Sequence, residues 1–123
     1  MKHSPGFLRL VAEAGTRVRE VTVADVEALR AAGAPVEIID VREDDEWRSG
    51  HVPGARHLCK GIIERDIEAT VPDSDVEMIL YCGGGFRSAL AADNLQKMGY
   101  TRVSSMAGGW RAWVQAGLPT TTA

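Results

Sequence analysis

The chain has 123 residues, of which 45% are hydrophobic and 25% are charged, a composition typical of one ordinary globular domain. Its formal net charge of −3 argues against nucleic acid or an anionic membrane as the main partner. The longest unbroken apolar run, residues 78–82, is too short to span a bilayer, and the first residues lack the apolar stretch of a secretory signal, so we expect a cytoplasmic protein.

Helix and strand signals alternate from the beginning of the chain. Residues 7–14 predict a short helix, and four of its apolar side chains are expected to face the body of the protein: Phe7, Leu8, Leu10 and Val11. Thr22 and Asp25 form a capping-box pattern that starts a second helix, which we expect to stop after Leu29, before Gly33. Residues 36–41 (VEIIDV) then predict a strand rich in branched apolar residues.

The middle of the chain continues this alternation. Residues 43–49 predict a short helix that Gly50 ends, residues 55–58 a brief strand, and residues 62–69 another helix. Residues 76–81 (VEMILY) predict a strand that becomes purely apolar, which indicates burial on both faces of a parallel sheet.

The last third contains two helices and one short strand. The helix after Gly85 has one apolar stripe and is capped by Gly99, and its stripe consists of Ala91, Ala92, Leu95 and Met98. Residues 101–104 predict a strand, and a final helix carrying Trp110 and Trp113 ends at Gly117. This order predicts an α/β domain with a mainly parallel sheet. We assign residues 20–119 to this domain, residues 1–19 to a helical extension that packs on it, and residues 120–123 to a tail.

The candidate functional site is the loop that joins the strand at residues 76–81 to the following helix. Cys82 stands at the carboxyl end of the strand, the usual ligand side of a parallel sheet. The next three residues, Gly83, Gly84 and Gly85, allow backbone N–H groups to turn inward, and the helix start contributes its positive dipole end. Arg87 adds a cation. Together these features predict an anion-binding loop in which Cys82 is favoured as a thiolate nucleophile.

A structural explanation of the same residues is a loose glycine turn with a buried cysteine and a solvated arginine. The coincidence of strand end, glycines, arginine and helix start favours the functional interpretation. The two cysteines, Cys59 and Cys82, form no CxxC pair, and the histidines lack zinc-site spacing, so we expect no metal and no disulfide. Neither a GxGxxG nor a GxxxxGK[ST] nucleotide motif is present, and we expect no cofactor.

Three motifs together resemble the rhodanese family of sulfurtransferases. The first is the loop that runs from Cys82 to Ser88, CGGGFRS. The second comprises residues 40–43 (DVRE), 46–47 (EW) and 50–55 (GHVPGA). The third is residues 106–110 (MAGGW) with Trp113. The resemblance covers about residues 20–118, with the motifs in the expected order.

This resemblance implies a five-stranded, mainly parallel sheet flanked by helices on both faces, and a thiosulfate sulfurtransferase type of enzyme. It implies that Cys82 is the catalytic residue and carries a persulfide, taking sulfane sulfur from a donor such as thiosulfate and passing it to cyanide or a thiol. A sulfur-accepting protein is a further candidate partner. The substrate-binding residues would be those of the loop: Gly83, Gly84, Gly85, Phe86, Arg87 and Ser88.

Two alternatives remain open from the sequence. A non-catalytic regulatory, sulfur-carrier or protein-binding rhodanese-like module is the first, although such modules often lack the cysteine. A cysteine phosphatase or arsenate reductase is the second, but those enzymes have five residues between cysteine and arginine, whereas this chain has four. No acidic residue in or beside the loop offers itself as a general acid for phosphatase chemistry.

Residues outside the loop favour structural roles. We expect Asp40 and Arg42 to form a charge pair and turn cap, and His51 to bind backbone in its turn. Trp110 and Trp113 are expected in the core, and Gly108 and Gly109 could bring the last helix close to the loop. Phe86 fits either a pocket mouth or a core anchor. Cys59 is expected to be an inert packed thiol, with a resolving role for a Cys82 persulfide as the less favoured alternative.

Overall fold

Within residues 2–123, five strands form one sheet in which every neighbouring pair is parallel. A computed structural model describes residues 2–123, so Met1, the first residue of the predicted extension, lies outside the described residues. The strands are β1 (Arg19–Val21), β2 (Val36–Asp40), β3 (Arg56–His57), β4 (Glu77–Tyr81) and β5 (Val103–Met106). Their order in the sheet is β1-β5-β4-β2-β3. The expected parallel α/β sheet is therefore confirmed.

Helices cover both faces of this sheet. They are α1 (Pro5–Gly15), α2 (Val23–Ala31), α3 (Asp44–Ser49), α4 (Ile63–Thr70), α5 (Phe86–Lys97) and α6 (Gly109–Gln115). Side chains of α4 and α5 share one buried cluster with the sheet, while Val26 of α2 and Trp113 of α6 belong to the cluster on the opposite face. Helix α1 packs on the outside of α5. No helix within residues 2–123 has the length and apolar character needed to cross a membrane.

The central strand β4 is buried on both sides, as its sequence predicted. Met78 and Leu80 enter the cluster under α4 and α5, whereas Ile79 and Tyr81 enter the cluster under α2 and α6. All four side chains are fully buried. Because successive side chains of a strand point to opposite faces, only an apolar run can fill both layers. The next residue after this strand is Cys82, which places it at the carboxyl edge.

Several boundaries differ from the sequence prediction. Strand β1 was not predicted from the local pattern, because it has only three residues and two of them are exposed. Strand β5 begins two residues later than expected and includes two buried serines, Ser104 and Ser105. In α1 the assignment of Leu8 and Leu10 to the inner face was wrong, since both are exposed, and the buried residue is Ala14.

The capping box of Thr22 and Asp25 is confirmed, with Asp25 N–H donating to Thr22 Oγ1 over 3.1 Å and Thr22 N–H donating to Asp25 Oδ2 over 3.0 Å. The helix it starts runs to Ala31, two residues beyond Leu29. Gly50 ends α3 as expected. The residues predicted as a tail are held to the body: Thr121 forms an antiparallel bridge with His51.

Candidate active site

Cys82 lies at the base of a pocket of about 870 Å³ formed above the carboxyl edge of the sheet. The residue is only 1% exposed, and it is among the residues that line the pocket. We therefore take this pocket as the candidate route of reagents to the sulfur. The loop after Cys82 leads directly into α5, whose first residue is Phe86.

The sulfur of Cys82 is surrounded by hydrogen-bond donors from its own loop. The backbone N–H groups of Gly85 and Ser88 donate to Sγ, at 3.2 Å and 3.4 Å. The hydroxyl of Ser88 lies 3.5 Å from the same sulfur and 2.7 Å from the hydroxyl of Ser105. Such donors stabilise negative charge on sulfur, as the sequence argument required.

The three loop glycines serve different geometric needs. Gly85 alone among them has a positive φ, +98°, and forms the N-cap of α5 in the left-handed region. Gly83 leaves room for Arg87, because a Cβ at this position would lie 3.1 Å from Arg87 Nη2. At Gly84 a Cβ would meet the ring of Phe86 at 3.5 Å, an ordinary contact. Backbone freedom is therefore required at Gly85 and close approach at Gly83.

The first turn of α6 holds the loop from behind. Trp110 N–H donates to the carbonyl of Cys82 over 2.7 Å, and Arg111 N–H donates to the carbonyl of Gly83 over 3.1 Å. Gly109 makes this possible, because a Cβ there would overlap the Cys82 carbonyl and approach the Gly83 carbonyl carbon to 2.9 Å. The expected close approach of this helix to the loop is observed.

Arg87 is not an unpartnered cation. Its guanidinium forms a bidentate ion pair with Glu46 of α3, at 2.9 Å and 3.1 Å. This pair raises the pKa of Arg87, to which the neighbouring Cys82 sulfur also contributes, and the Arg87 hydrogen bond lowers the pKa of Glu46 from its ordinary value. Sequence analysis assigned no role to Glu46, which lies 41 residues from Arg87 in the chain.

Sequence analysis found no acidic residue in or beside the loop that offers itself as a general acid, and the structure adds Glu46, distant in the chain, to the pocket lining. It does not follow that Glu46 is a general acid. Its carboxylate accepts hydrogen bonds from Arg87 and from the backbone N–H of Glu43, and its lowered pKa keeps it ionised near neutral pH.

The N-terminal segment supplies part of the pocket wall. Phe86 packs against it, with its ring centroid 4.5 Å from that of His3 and 6.1 Å from that of Phe7. Phe86 is half-buried and lines the pocket, so its position is at the mouth rather than in the core. Lys2 and Ser4 of the same segment also line the opening. Sequence analysis did not predict this wall, because residues 2–7 are distant from the loop in the chain.

The polar residues that sequence analysis expected to be structural make the contacts expected of them. Arg42 forms a buried bidentate hydrogen-bonded pair with Asp40 and donates to the carbonyl of Gly50 over 2.6 Å. The ring nitrogens of His51 lie 2.9 Å from the backbone oxygens of Trp47 and Ala123. Trp47 stacks on the His51 ring at 3.4 Å. These contacts fix the turns beneath α3 and thereby the position of Glu46.

Cys59 is half-buried. Within residues 2–123, the pocket lining includes neither Cys59 nor Lys60. In the same part of the chain, no group of three His, Cys, Asp or Glu side chains has a geometry able to hold a metal ion. The groups that the structure brings together at the pocket are Cys82, its hydrogen-bond donors and the charged side chains around it.

Comparison with known proteins identifies a family over most of the chain. The model of the rhodanese-like domain matches residues 22–116. The thiosulfate sulfurtransferase GlpE of Stutzerimonas stutzeri is 33% identical, over 80% of this chain and 86% of that protein. A sulfurtransferase of Allochromatium vinosum is 32% identical, over 83% of this chain and 94% of its own length. YqhL of Bacillus subtilis, named as uncharacterized, is 34% identical over 71% of this chain and 68% of that protein.

Among solved structures, one from Rhodopseudomonas palustris CGA009 matches almost the entire chain. It superposes with a TM-score of 0.88 at 33% identity and covers 98% of both chains. That protein is described as of unknown function and as a possible tyrosine phosphatase.

Proposed function

Since the chain belongs to the rhodanese-like domain family, we propose that it is a sulfurtransferase that carries sulfane sulfur as a persulfide on Cys82. The observation that carries this proposal is the surroundings of the Cys82 sulfur. Cys82 is nearly buried, lines the pocket, and its sulfur accepts two backbone N–H hydrogen bonds from its own loop. The sulfurtransferases among its relatives support the same reaction class.

The reaction has two displacement steps. The Cys82 thiolate attacks the outer sulfur of thiosulfate, an S–S bond forms on Cys82, and sulfite leaves with the electron pair of the broken S–S bond. In the second step cyanide or a thiolate attacks the outer sulfur of the persulfide, and the Cys82 thiolate is released. A covalent intermediate of this kind gives ping-pong kinetics.

The loop residues act on the charge at each stage. The N–H groups of Gly85 and Ser88 stabilise the thiolate and, after transfer, the persulfide anion. Arg87 places its positive charge beside the sulfur and is held there by Glu46. Gly83, Gly84 and Phe86 shape the opening through which donor and acceptor enter.

Exchange of Cys82 for serine tests the proposal directly. We expect Cys82→Ser to lose thiocyanate formation from thiosulfate and cyanide almost completely, because serine offers no thiolate near neutral pH. The matched control is Cys59→Ser, which removes the other thiol and is expected to keep parental turnover. Mass spectrometry after donor treatment should find one added sulfur atom on the peptide that contains Cys82.

A Cys82→Ser protein with parental turnover would refute the proposal.

The phosphatase alternative has one observation in its favour, the description of the similar Rhodopseudomonas palustris protein. Among residues 2–123, the acidic side chain that lines the pocket is Glu46, and its hydrogen bond with Arg87 lowers its pKa, which opposes a role as a general acid. Hydrolysis of an aryl phosphate by the parent, lost in Cys82→Ser, without any sulfur transfer would establish that alternative instead.

A further inference from the structure

We infer that Lys2 and Arg111 form a specificity subsite for a negatively charged group at the outer end of the sulfur donor. The donor class is the persulfide of a small thiol that bears carboxylates. This inference rests on the proposed function, since it assigns the donor of the same pocket. It concerns residues outside the Cys82 to Ser88 loop.

The charges in the pocket provide the first argument. Three cations line it, namely Lys2, Arg87 and Arg111, together with one carboxylate, Glu46. Because Glu46 binds Arg87 through both carboxylate oxygens, the charge of Arg87 is already largely compensated. Within residues 2–123, neither Lys2 nor Arg111 takes part in an ion pair. These two side chains therefore supply the net positive charge of the opening.

Arg111 is fixed next to the loop by the backbone of α6. Its N–H donates to the carbonyl of Gly83 over 3.1 Å. Its guanidinium lies over the loop at Gly84, where a Cβ would be 3.9 Å from Arg111 Nη1. An anionic group that extends outward from the Cys82 sulfur past Gly84 would therefore meet this guanidinium.

Lys2 is brought to the opening by an aromatic cluster next to it in the chain. His3 packs against Phe86 at 4.5 Å and against Phe7 at 5.2 Å, so the segment before α1 lies along the pocket. This segment precedes the residues that match the rhodanese-like domain. Together with Phe7 of α1, it adds a wall with the positive charge of Lys2 and the rings of His3 and Phe7 to the loop of that domain.

The size of the pocket indicates the kind of donor. A volume of about 870 Å³ lies near the upper end of the ~300–1,000 Å³ typical of sites for drug-sized ligands. Thiosulfate would occupy only the inner end, beside Cys82 and Arg87. A persulfide with a larger organic part reaches the aromatic wall, and its carboxylates reach Lys2 and Arg111.

The transfer from this donor is balanced without another reactant. The Cys82 thiolate attacks the outer sulfur of R–S–S–H, the bond between the two donor sulfurs breaks, and the thiolate R–S⁻ leaves with its electron pair. One sulfur with its proton is thereby added to the Cys82 sulfur, which gives the protonated form of the persulfide that thiosulfate would form.

The test uses two aromatic disulfides that differ in charge. Dithiobis(nitrobenzoate) carries carboxylates remote from its sulfurs, and dithiodipyridine carries none. Each releases a coloured thiol when a thiolate attacks it. All proteins carry Cys59→Ser, so that Cys82 is the thiol that reacts. The rate of reaction of Cys82 with each reagent is measured in the parent and in the double variant Lys2→Gln/Arg111→Gln. The control is Arg9→Gln/Arg19→Gln, which removes two exposed positive charges outside the pocket.

We expect the ratio of the anionic to the neutral rate to fall about fivefold in the subsite variant, the effect of about one close charge contact in water, and to stay parental in the control. The KM for glutathione persulfide should rise by a similar factor, and the KM for thiosulfate by less. An unchanged ratio, or an equal fall in both double variants, would overturn the subsite. Because disulfide attack needs no sulfur transfer, a changed ratio in a protein without transferase activity would refute the proposed function while retaining the subsite.

Discussion

At the scale of single residues, the sulfur of Cys82 is the end of a short chain of buried hydroxyl groups. Ser105 of β5 lies 2.7 Å from Ser88, and Ser88 lies 3.5 Å from the sulfur. Both serines are fully buried. When the sulfur is ionised, the Ser88 hydroxyl donates to it and Ser105 donates to Ser88, because the thiolate can only accept. Ser105 thus orients the hydroxyl that faces the reacting atom.

Loss of the Ser105 hydroxyl should weaken this chain without removing the loop. We predict that Ser105→Ala lowers kcat/KM for sulfur transfer about fivefold, the effect of one hydrogen bond worth about 1 kcal/mol. The rate of Cys82 alkylation by iodoacetamide at neutral pH should fall in parallel. Ser104→Ala, the neighbouring buried serine on the same strand, is the control. Equal losses in the two variants would mean that β5 packing, and not the hydroxyl chain, supports Cys82.

The loop residues could be predicted from the sequence because the chemistry lies within one short segment. Strand end, glycines, arginine and helix start are consecutive, and their combination indicates an anion-binding nucleophile. Glu46 and Ser105 could not be predicted in the same way. They lie 41 residues from Arg87 and 17 residues from Ser88, and their contacts depend on how α3 and β5 meet the loop. Sequence analysis therefore included the positive charge of Arg87 at the pocket but not the carboxylate of Glu46 that pairs with it.

At the scale of elements, the site depends on the contact between the first turn of α6 and the loop. Two N–H groups at the start of this helix bind the carbonyls of Cys82 and Gly83. Such an approach of helix backbone to loop backbone requires a residue without a side chain, and Gly109 also has a φ of +56°. The glycine pair was recognised in the sequence, but a simple turn explained it equally well until the distance to the loop was known.

Substitution of Gly109 by alanine should therefore lower the free energy of unfolding by more than the strain of a positive φ alone. Gly117 provides the control, because its φ of +71° is similar and an added Cβ there would have no neighbour within 4 Å. We predict that Gly117→Ala lowers the free energy of unfolding by about 1 kcal/mol, the cost of a left-handed non-glycine residue. Gly109→Ala should add an overlap cost and reach about 3 kcal/mol. Urea unfolding measures both, and equal losses would show that the helix start does not hold the loop.

A strand could be predicted closely from the sequence where its burial requires a continuous apolar run. Strand β4 was predicted closely because burial on two faces demands a continuous apolar run. The edge strand β1 has three residues, two of them exposed, and leaves no such pattern. In β5 the buried positions include Ser104 and Ser105, so hydrophobicity placed the strand two residues early.

At the scale of the whole molecule, α1 and the segment before it complete a pocket whose other lining residues, such as Cys82, belong to the rhodanese-like domain. Helix α1 lies on α5, and Phe7 at its start contacts Phe86 at the start of α5. The other end is held by Arg17, whose guanidinium binds both carboxylate oxygens of Asp93 at 2.9 Å and 2.8 Å. The docking of α1 therefore determines the shape of the pocket wall, and residues 1–19 remain our proposal for an extension added to the domain.

The pair of Arg17 and Asp93 makes this docking sensitive to acid. The Arg17 hydrogen bond lowers the pKa of Asp93 from its ordinary 3.8. A carboxyl group whose pKa is lower in the folded state stabilises that state fully above its unfolded value, and the contribution is lost as the pH falls through the lower folded value. The docking of α1 should therefore be unaffected at neutral pH and weaken below about pH 4.

Replacement of Asp93 by asparagine should reproduce this acid effect at neutral pH. We predict that amide hydrogen exchange in α1 becomes severalfold faster in Asp93→Asn, while exchange in β4 stays slow, because the helix loosens without unfolding the sheet. Glu13→Gln is the control, since Glu13 is mostly exposed and reaches Arg17 only at 3.5 Å. Loosening of α1 should also withdraw Lys2 and His3 from the pocket, so the preference of Cys82 for the anionic disulfide should decline in Asp93→Asn. Fast exchange in both α1 and β4 would instead show that α1 is an integral part of the cooperative core, and parental exchange in α1 would show that other contacts hold the helix in place.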